Sequence, residues 1–364
     1  MSATPQSDVV LLCNPRAGGR WRTLADVLDS DEARLVRRIV TDDIDDVREA
    51  IAGLGQRVKL LCIYGGDGTV NRIIGELLRA PHAAQGFGGP PRIALLGGGT
   101  MNVTAGWCGM SDSPGENFRA IMRAYLSDRL VWREAPLLEV TQRERVHYGF
   151  TLGLGPLVRI LDKYEHGTKG RLRALAVGVE SIAAAVSGRP RAYQGLLREM
   201  EARVFADGAE LPYSRFAAVF ANTTGVINPF VEPFVAERTR GRFHFLAYAV
   251  SSREFAALAP LLARALLPID SRSVLRPISL WRQALLSLTG KGLLPLDPRY
   301  VNRPVHELRI ETPEELYTID GELLPTAGAP LEVRLGPTLH LAVLKARKPP
   351  RRSRPPRDEL VEVE

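Results

Sequence analysis

Two glycine-rich segments follow short apolar runs in the first third of the chain. The first reads Gly65-Gly66-Asp67-Gly68-Thr69 after the run at 58–63, and the second reads Gly97-Gly98-Gly99-Thr100 after the run at 93–96. Glycine has no Cβ, so backbone N–H groups can approach an anion, and a following helix N-terminus adds partial positive charge. The pattern predicts two loops that hold a chain of phosphates.

The first loop also carries one carboxylate, Asp67. A carboxylate beside phosphates makes sense if a divalent cation or a reacting hydroxyl lies between them. A third glycine loop, from Asn14 to Gly19, follows the first predicted strand. No Gly-Lys-Ser/Thr follows the two main loops, so they are not Walker A loops, and the first strand lacks the Rossmann dinucleotide fingerprint. A nicotinamide oxidoreductase is therefore disfavoured, and the remaining alternative is that the loops are only tight turns.

The pattern of predicted elements changes along the chain. In residues 8–130, strands alternate with amphipathic helices, which predicts a parallel sheet with helices on both faces and ligands at the carboxyl ends of its strands. These predicted strands are 9–13, 35–40, 58–63 and 93–96, and the helices include 44–54 and 70–78. After residue 133, closely spaced β-rich runs, among them 331–335 and 339–344, predict antiparallel sheets packed as a sandwich, interrupted by helices at 171–186 and 251–267.

The predicted fold class is therefore α/β plus all-β. We expect a Rossmann-like α/β domain at residues 1–132, an antiparallel β-sandwich domain at 133–344, and a Pro- and Arg-rich tail at 345–364 that is disordered. The functional site is expected in the cleft between the two domains.

Charge and cysteine content restrict the class of protein. The net charge is +7, and seven cations lie in the short tail ahead of four acids, so the rest of the chain is roughly balanced, which argues against an extended nucleic-acid surface. The tail cations are Lys345, Arg347, Lys348, Arg351, Arg352, Arg354 and Arg357. Three scattered cysteines, Cys13, Cys62 and Cys108, fit neither a zinc site nor a disulfide framework, so we expect a reducing compartment. No signal-peptide or membrane-spanning run is present in the sequence, so we expect a soluble protein or one that lies on a membrane.

Taken together in this order, the loops resemble the diacylglycerol kinase catalytic-domain family, which includes bacterial lipid kinases and the sphingosine and ceramide kinases. The matching segments are Asn14-Pro15 with Gly18 and Gly19, Gly65-Gly66-Asp67-Gly68-Thr69 with Asn71, Gly98-Gly99-Thr100 with Asn102, and Ile319-Asp320-Gly321-Glu322. The Gly-Gly-Asp-Gly-Thr segment also occurs in NAD kinases, of the same superfamily. The Asp-Gly-Glu turn after a β domain distinguishes the lipid kinases.

The resemblance implies that ATP binds in the cleft between the two domains. It implies nucleotide contacts from the three loops, with Asn102 fixing the second one. The residues implied are Asn14, Gly18, Gly19, Gly65, Gly66, Gly68, Thr69, Asn71, Gly98, Gly99, Thr100 and Asn102. It also implies that Asp67 and Glu322 meet across the cleft.

Phosphoryl transfer to an alcohol needs an aligned hydroxyl, Mg²⁺ and a group that takes the proton. We expect Asp67 to be the base or to orient the hydroxyl, with Glu322 as its partner at the metal and the transferring phosphate. Asp67 and Glu322 would hold Mg²⁺ through water, and Asp320 can take whichever role they leave. For Asp320-Gly321 a simple hairpin turn is an equal alternative.

Four positions depart from the family pattern. Arg72 follows Asn71 where an acid is usual, Val103 follows Asn102 where many members have Asp, and Arg240-Gly241 stands in place of Asp-Gly. The last change makes a second, structural magnesium site doubtful. Asn222 matches the central asparagine of the family only loosely, so the wall facing the lipid can differ. Arg72 either compensates charge near the phosphates or is solvent-facing variation.

The leading expectation is an ATP- and Mg²⁺-dependent kinase that phosphorylates a membrane lipid such as diacylglycerol, ceramide or a sphingoid base. It would be cytoplasmic and bound peripherally at the inner face of the membrane, with the basic tail contacting anionic lipid weakly. No nucleic-acid partner is expected, and the oligomeric state is left open. The alternatives are an NAD kinase-like enzyme with a soluble substrate and a nucleotide-binding regulator without catalysis.

Overall fold

The computed structural model describes residues 8–16, 21–54, 58–79, 92–99, 102–165, 198–225, 234, 239–251, 254–255 and 297–344. Several predictions lie outside these residues: the helix at 171–186, most of the helix at 251–267, Gly18, Gly19, Thr100 and the tail at 345–364.

The first part of the chain forms the parallel sheet that the sequence predicts. Its strands are β1 (Val9–Cys13), β2 (Arg37–Val40), β3 (Leu60–Tyr64) and β4 (Arg92–Leu95). They lie side by side in the order β4-β3-β1-β2, and every pairing among them is parallel. All residues of β1 and β3 are buried, as expected for central strands covered on both faces.

Helices cover both faces of this sheet, and the apolar side chains there form two buried clusters. The helices are α1 (Trp21–Leu28), α2 (Ile44–Ala52), α3 (Asp67–Arg79), α4 (Val103–Trp107) and α5 (Pro114–Leu126). Asp43 begins α2 with a capping box, because its side chain accepts hydrogen bonds from the N–H groups of Asp45 and Asp46. The strand predicted at 35–40 starts at Arg37, since Ser30 caps a short 3₁₀ helix over Asp31–Leu35.

The second part of the chain is β-rich. Its elements are β5 (Val131–Gln142), β6 (Arg145–Gly149), β7 (Thr151–Leu154), α6 (Pro156–Glu165), β8 (Met200–Glu201), β9 (Arg203–Ala206), β10 (Ala209–Glu210), β11 (Arg215–Phe216), β12 (Ala218–Asn222), β13 (Phe243–Tyr248), β14 (Tyr300–Val305), β15 (Glu307–Glu311), β16 (Leu316–Ile319), β17 (Glu322–Pro325) and β18 (Leu331–Val343). One sheet runs β14-β13-β12-β7-β16-β17 with antiparallel pairing. Its apolar face packs on that of β5, β9, β15 and β18, around residues such as Leu138, Phe245 and Val333. The α/β plus all-β class is confirmed.

The long strand β18 connects the two parts. It is antiparallel to β5 along most of its length and to β15 at its start, and near its end Leu341 pairs in parallel with Ile93 of β4. The sequence suggested two strands at 331–335 and 339–344, but this is one strand with an irregular register between Leu335 and Thr338. The sheet is thus continuous across residue 132, and the domain limits stay a prediction.

The three cysteines are free thiols, and each one is buried. Burial raises the pKa of all three thiols, to about 12 for Cys13 and Cys108. They therefore act as small apolar side chains. Within the described ranges, no helix combines the length and the apolar character that crossing a bilayer requires.

Candidate active site

The first glycine loop leads from β3 directly into α3. The first helical hydrogen bond runs from the Val70 N–H to the Gly66 carbonyl over 3.0 Å, so the N–H groups of Asp67, Gly68 and Thr69 have no acceptor within the helix. A Cβ on Gly68 would meet nothing within 4 Å. Gly68 is exposed, so a ligand can reach the N-terminal turn of α3, whose partial positive charge favours an anion. The helix starts at Asp67, three residues before its predicted start at 70.

The second glycine loop is folded around the side chain of Asn102. The Asn102 amide oxygen accepts a hydrogen bond from the Gly99 N–H over 2.7 Å, and its Nδ2 donates to the carbonyls of Gly97 and Gly99. The backbone of Asn102 is left-handed with φ of 50°, and Gly97 has φ of 78°. Asn102 therefore holds the loop closed from within.

The two loops pack against each other through their backbones. The Gly98 N–H donates to the Gly65 carbonyl over 2.9 Å, and a Cβ on Gly99 would lie 2.4 Å from the Gly66 Cα. A Cβ on Gly98 would lie 2.9 Å from the buried Tyr64 ring. The space at Gly98 and Gly99 is thus filled by protein, and these two glycines are required for contact between the loops, whereas the space at Gly68 is open.

Asn14 joins the end of β1 to the same region. Its N–H donates to the Tyr64 carbonyl over 3.0 Å, and its side-chain Nδ2 donates to Thr69 Oγ1 over 3.0 Å. The Asn14 amide oxygen accepts from the Arg16 N–H over 2.9 Å. Asn14 thus links the third loop to the first turn of α3.

The carboxylate of Asp67 lies at the start of α3, facing the start of α4. Its Oδ2 accepts a hydrogen bond from the Val103 N–H over 3.3 Å. Burial raises the pKa of Asp67, and backbone N–H groups of residues 102–104 act in the opposite direction. The donor at residue 103 is the main-chain N–H group. The contact with Asp67 therefore does not depend on whether the side chain there is valine or the aspartate of many family members.

Asp320 and Gly321 form the tight turn between β16 and β17. Both have positive φ, 50° and 88°, and Ile319 pairs with Glu322, as in a two-residue hairpin. The Asp320 carboxylate also accepts hydrogen bonds from the N–H groups of Phe150 and Thr151, over 2.9 and 2.8 Å. Asp320 therefore serves as a turn residue and also as an anchor for the hairpin.

Gly149 makes room for this anchor. A Cβ at this position would lie 2.2 Å from Ile319 Cγ2 and 2.6 Å from Asp320 Oδ2. Burial raises the pKa of Asp320 to about 7, and the negative charges of Asp67 and Glu322 act in the same direction. The three acidic groups are therefore close enough to affect one another, although Asp67 comes from the first part of the chain and the others from the second.

The carboxylates meet beside α3. Asp67 and Asp320 line one small pocket with room of about 10 Å³ for the centre of a water molecule, close to what one water needs. Asn71 donates from Nδ2 to the Ile319 carbonyl over 3.3 Å, and Arg72 Nε lies 3.6 Å from Glu322 Oε1. The helix that follows the first glycine loop thus contacts the β16–β17 hairpin directly.

The donor set suits a magnesium ion held with a nucleotide. Mg²⁺ is usually bound by one or two carboxylates together with substrate phosphates and waters, and Asp67 and Glu322 can supply those carboxylates. Within the described ranges, no three His, Cys, Asp or Glu side chains are grouped as a metal site. A metal here would therefore need the phosphates as ligands.

Some residues of the site could not be found from sequence. Phe150 and Thr151 act through backbone N–H groups, which every residue except proline has, so the sequence does not single them out. Asn222 is fully buried and donates from Nδ2 to Thr151 Oγ1 over 2.7 Å, so it supports the strand that anchors Asp320. Arg72 is solvent-exposed, as one of its two alternatives has it, and its Nε also lies 3.6 Å from Glu322 Oε1.

Comparison with known proteins agrees with this architecture. Residues 8–129 match the family model described as the diacylglycerol kinase catalytic domain. A crystal structure of a candidate diacylglycerol kinase from Bacillus anthracis str. Sterne is similar with a TM-score of 0.59 and 15% identity, covering 95% of this chain and 99% of the other. A second structure, of a diacylglycerol kinase from the same organism, has a TM-score of 0.57 and 14% identity, covering 94% and 99%. No curated protein sequence gave a significant match. The resemblance to this family is confirmed for residues 8–129.

We predict opposite effects of alanine at two glycines of the site. Gly99→Ala should lower the free energy of unfolding by about 1–3 kcal/mol, because the new Cβ overlaps the Gly66 backbone. Gly68→Ala should leave stability unchanged or raise it, since its Cβ enters open space in a helix. Urea unfolding of both variants measures the difference. Equal midpoints for the two variants would contradict the packing of the loops.

We also predict a pH dependence of stability that comes from Asp320. Its pKa is raised from 3.8 to about 7, so between these values the folded state keeps a proton that the unfolded state has lost. The stabilisation is full below about pH 4 and is lost as the pH rises through 7, a change on the order of 1–4 kcal/mol. Asp320→Asn keeps the shape and cannot titrate, so its unfolding free energy should lack the part of this decline that comes from Asp320. Asp67, whose pKa burial also raises, should keep its own part.

The measurement is urea unfolding at pH 5 and pH 8 for the wild-type chain and the variant. Asp45→Asn, on an exposed position of α2, is the matched control and should retain the wild-type decline. An identical decline in wild type and Asp320→Asn would show that Asp320 does not hold the proton.

Proposed function

We propose that this chain, which carries a diacylglycerol kinase catalytic domain at residues 8–129, is an ATP-dependent kinase that phosphorylates a hydroxyl group of a membrane lipid. One observation carries the proposal: carboxylates from both parts of the chain meet beside the N-terminal turn of α3, which is exposed at Gly68. Phosphoryl transfer requires this combination, because phosphates and a proton acceptor must meet at one point.

The N-terminus of α3 is the proposed phosphate site. The free N–H groups at Gly68 and Thr69 would bind phosphate oxygens, and the partial positive charge of the helix would stabilise them. The packed loops at Gly66 and Gly99 hold this N-terminus in place. Because the donors belong to the backbone, they are fixed before the nucleotide arrives.

Asp67 is the proposed proton acceptor for the lipid hydroxyl. Its raised pKa brings the carboxylate closer to the basicity that a general base needs near neutral pH. Asp320 is less suited to this role, because both of its carboxylate oxygens accept hydrogen bonds from the N–H groups of Phe150 and Thr151. The hydrogen bond from Val103 to Asp67 is longer, at 3.3 Å, and uses Oδ2. We assign Asp320 to positioning the hairpin that carries Glu322.

Glu322 and Asp67 would hold Mg²⁺ through water. When bound with the nucleotide, the ion would offset negative charge on the phosphates. Glu322 lies on β17 directly after the turn, so the hydrogen bonds of Asp320 determine where its carboxylate stands.

The proposed acceptor is a lipid such as diacylglycerol, ceramide or a sphingoid base. Support comes from the family of the N-terminal domain and from the Asp320-Gly321-Glu322 turn, which lies beside Asp67. The two alternatives are an NAD kinase-like enzyme with a soluble acceptor and a regulator that binds nucleotide without turnover.

One assay separates the three functions. The purified chain is incubated with ATP labelled at the γ-phosphate, Mg²⁺ and, in separate reactions, vesicles containing diacylglycerol, ceramide or a sphingoid base, or NAD in solution. Labelled lipid is the expected result. Labelled NADP would establish the soluble-substrate kinase instead, and nucleotide binding without labelled product would favour the regulator.

We predict that Asp67→Asn lowers kcat at least about a hundredfold, because the amide cannot take the hydroxyl proton. The unfolding midpoint should change little, since the amide oxygen can still accept from the Val103 N–H. Asp45→Asn, an exposed aspartate that pairs with Arg48, is the control and should retain full kcat. Near wild-type turnover in Asp67→Asn would remove the assignment.

We further propose that the chain is cytoplasmic and associates with the inner face of the membrane through its basic tail. Each tail cation can add about 1 kcal/mol near an anionic leaflet before screening, less what the nearby acids cancel. Deleting residues 345–364 should reduce co-sedimentation with anionic vesicles at low salt and leave behaviour with neutral vesicles unchanged. Unchanged sedimentation with anionic vesicles would contradict this role of the tail.

A further inference from the structure

Two adjacent faces of α3 border the site. Residues four apart lie on the same face of a helix. Asp67 and Asn71 share one face, and both line the small pocket that also contains Asp320. Gly68 and Arg72 share the next face, where a Cβ on Gly68 meets only open space. Long helical side chains point back toward the helix N-terminus, so the side chain of Arg72 is expected to lean toward the turn that carries Gly68.

The guanidinium of Arg72 is held only loosely. Its Nε lies 3.6 Å from Glu322 Oε1, and the two side chains are 60% and 31% exposed. Exposed pairs of this kind contribute little to stability, so Arg72 can change its partner without disturbing the fold. Glu322 belongs to the β16–β17 hairpin, and Arg72 therefore bridges α3 and that hairpin.

The charges around Arg72 favour an exchange of its partner Glu322 for a phosphate. Asp67, Asp320 and Glu322 bring negative charge to the site, and a polyphosphate would add more. Among the ion pairs formed between described residues, one involves these three acids, and it joins Glu322 to Arg72. Arginine is the side chain best suited to a phosphate, since its planar donors match two phosphate oxygens at once.

We propose that Arg72 binds the terminal phosphate of the nucleotide triphosphate and exchanges its contact with Glu322 for that phosphate. This inference rests on the proposed kinase function. In that role Arg72 adds a charged side chain to a phosphate site otherwise made of backbone N–H groups. Glu322 is then paired when the site is empty and released from Arg72 when the triphosphate is bound.

The test measures nucleotide binding rather than turnover. Isothermal titration of the full chain with a non-hydrolysable ATP analogue and with ADP, both with Mg²⁺, gives the dissociation constants. Arg72→Ala should weaken binding of the triphosphate by about tenfold or more, as expected for a charge-assisted contact. It should weaken ADP binding less than about twofold, because ADP has no terminal phosphate at this point.

Two further variants make the result specific. Arg72→Lys keeps the charge without the planar donors, so its triphosphate affinity should fall between wild type and Arg72→Ala. Arg79→Ala is the matched control, because Arg79 is a similarly exposed arginine in the last turn of α3 that pairs with Glu76. It should bind both nucleotides as wild type does. Unchanged thermal unfolding of Arg72→Ala shows that the variant is folded.

Two outcomes would overturn the role of Arg72 and leave the kinase function standing. One is triphosphate binding by Arg72→Ala that equals wild type. The other is an equal loss for triphosphate and diphosphate, which would mean that Arg72 acts on the inner phosphates or on the fold. Failure of the wild-type chain to bind either nucleotide would instead overturn the proposed kinase function, and this inference with it.

Discussion

The backbone contact between the two glycine loops determines the rest of the site. The Gly98 N–H reaches the Gly65 carbonyl, and Gly66 and Gly99 approach so closely that neither can carry a side chain without displacing the other. Each loop ends a strand of the parallel sheet, so this contact joins the ends of β3 and β4. The contact between the loops fixes the direction in which α3 leaves β3. That direction in turn sets the position of the N–H groups at the start of α3.

The second constraint is the attachment of the β16–β17 hairpin to Thr151, the first residue of β7, and to Phe150, which precedes that strand. Asp320 reaches the N–H groups of Phe150 and Thr151 only because Gly149 has no side chain. Burying this carboxylate near Asp67 and Glu322 is unfavourable, as its raised pKa shows. Proteins accept such local costs where function needs the groups together, and the rest of the fold compensates. The cost is therefore consistent with a catalytic location.

Sequence patterns predicted the elements whose signal is local. The all-apolar run of β1 was found with its bounds, and the glycine loops were found because glycine is required there for close approach. The sequence predicts the start of α3 at residue 70 rather than at Asp67, since Gly-Asp-Gly resembles a turn more than a helix. The sequence predicts two strands where β18 is one, because Gly336 and Pro337 suggest a break. In the structure these two residues lie within the strand, where the register shifts between Leu335 and Thr338. The packing reason for Gly98 and Gly99, the anchor at Thr151 and the partner of Arg72 depend on contacts between distant segments, which no local pattern contains.

The parallel pairing of β18 with β4 has a consequence for how the molecule is made. Leu341 pairs with Ile93, so the edge of the first sheet is completed by a strand that is synthesised long after β4. Until then β4 presents unpaired backbone groups to any other nascent polypeptide, which favours aggregation. A fragment cut after residue 129, where the catalytic-domain match ends, would keep that edge permanently uncovered. The parallel sheet of the first part of the chain thus stays incomplete until this distant segment has been made.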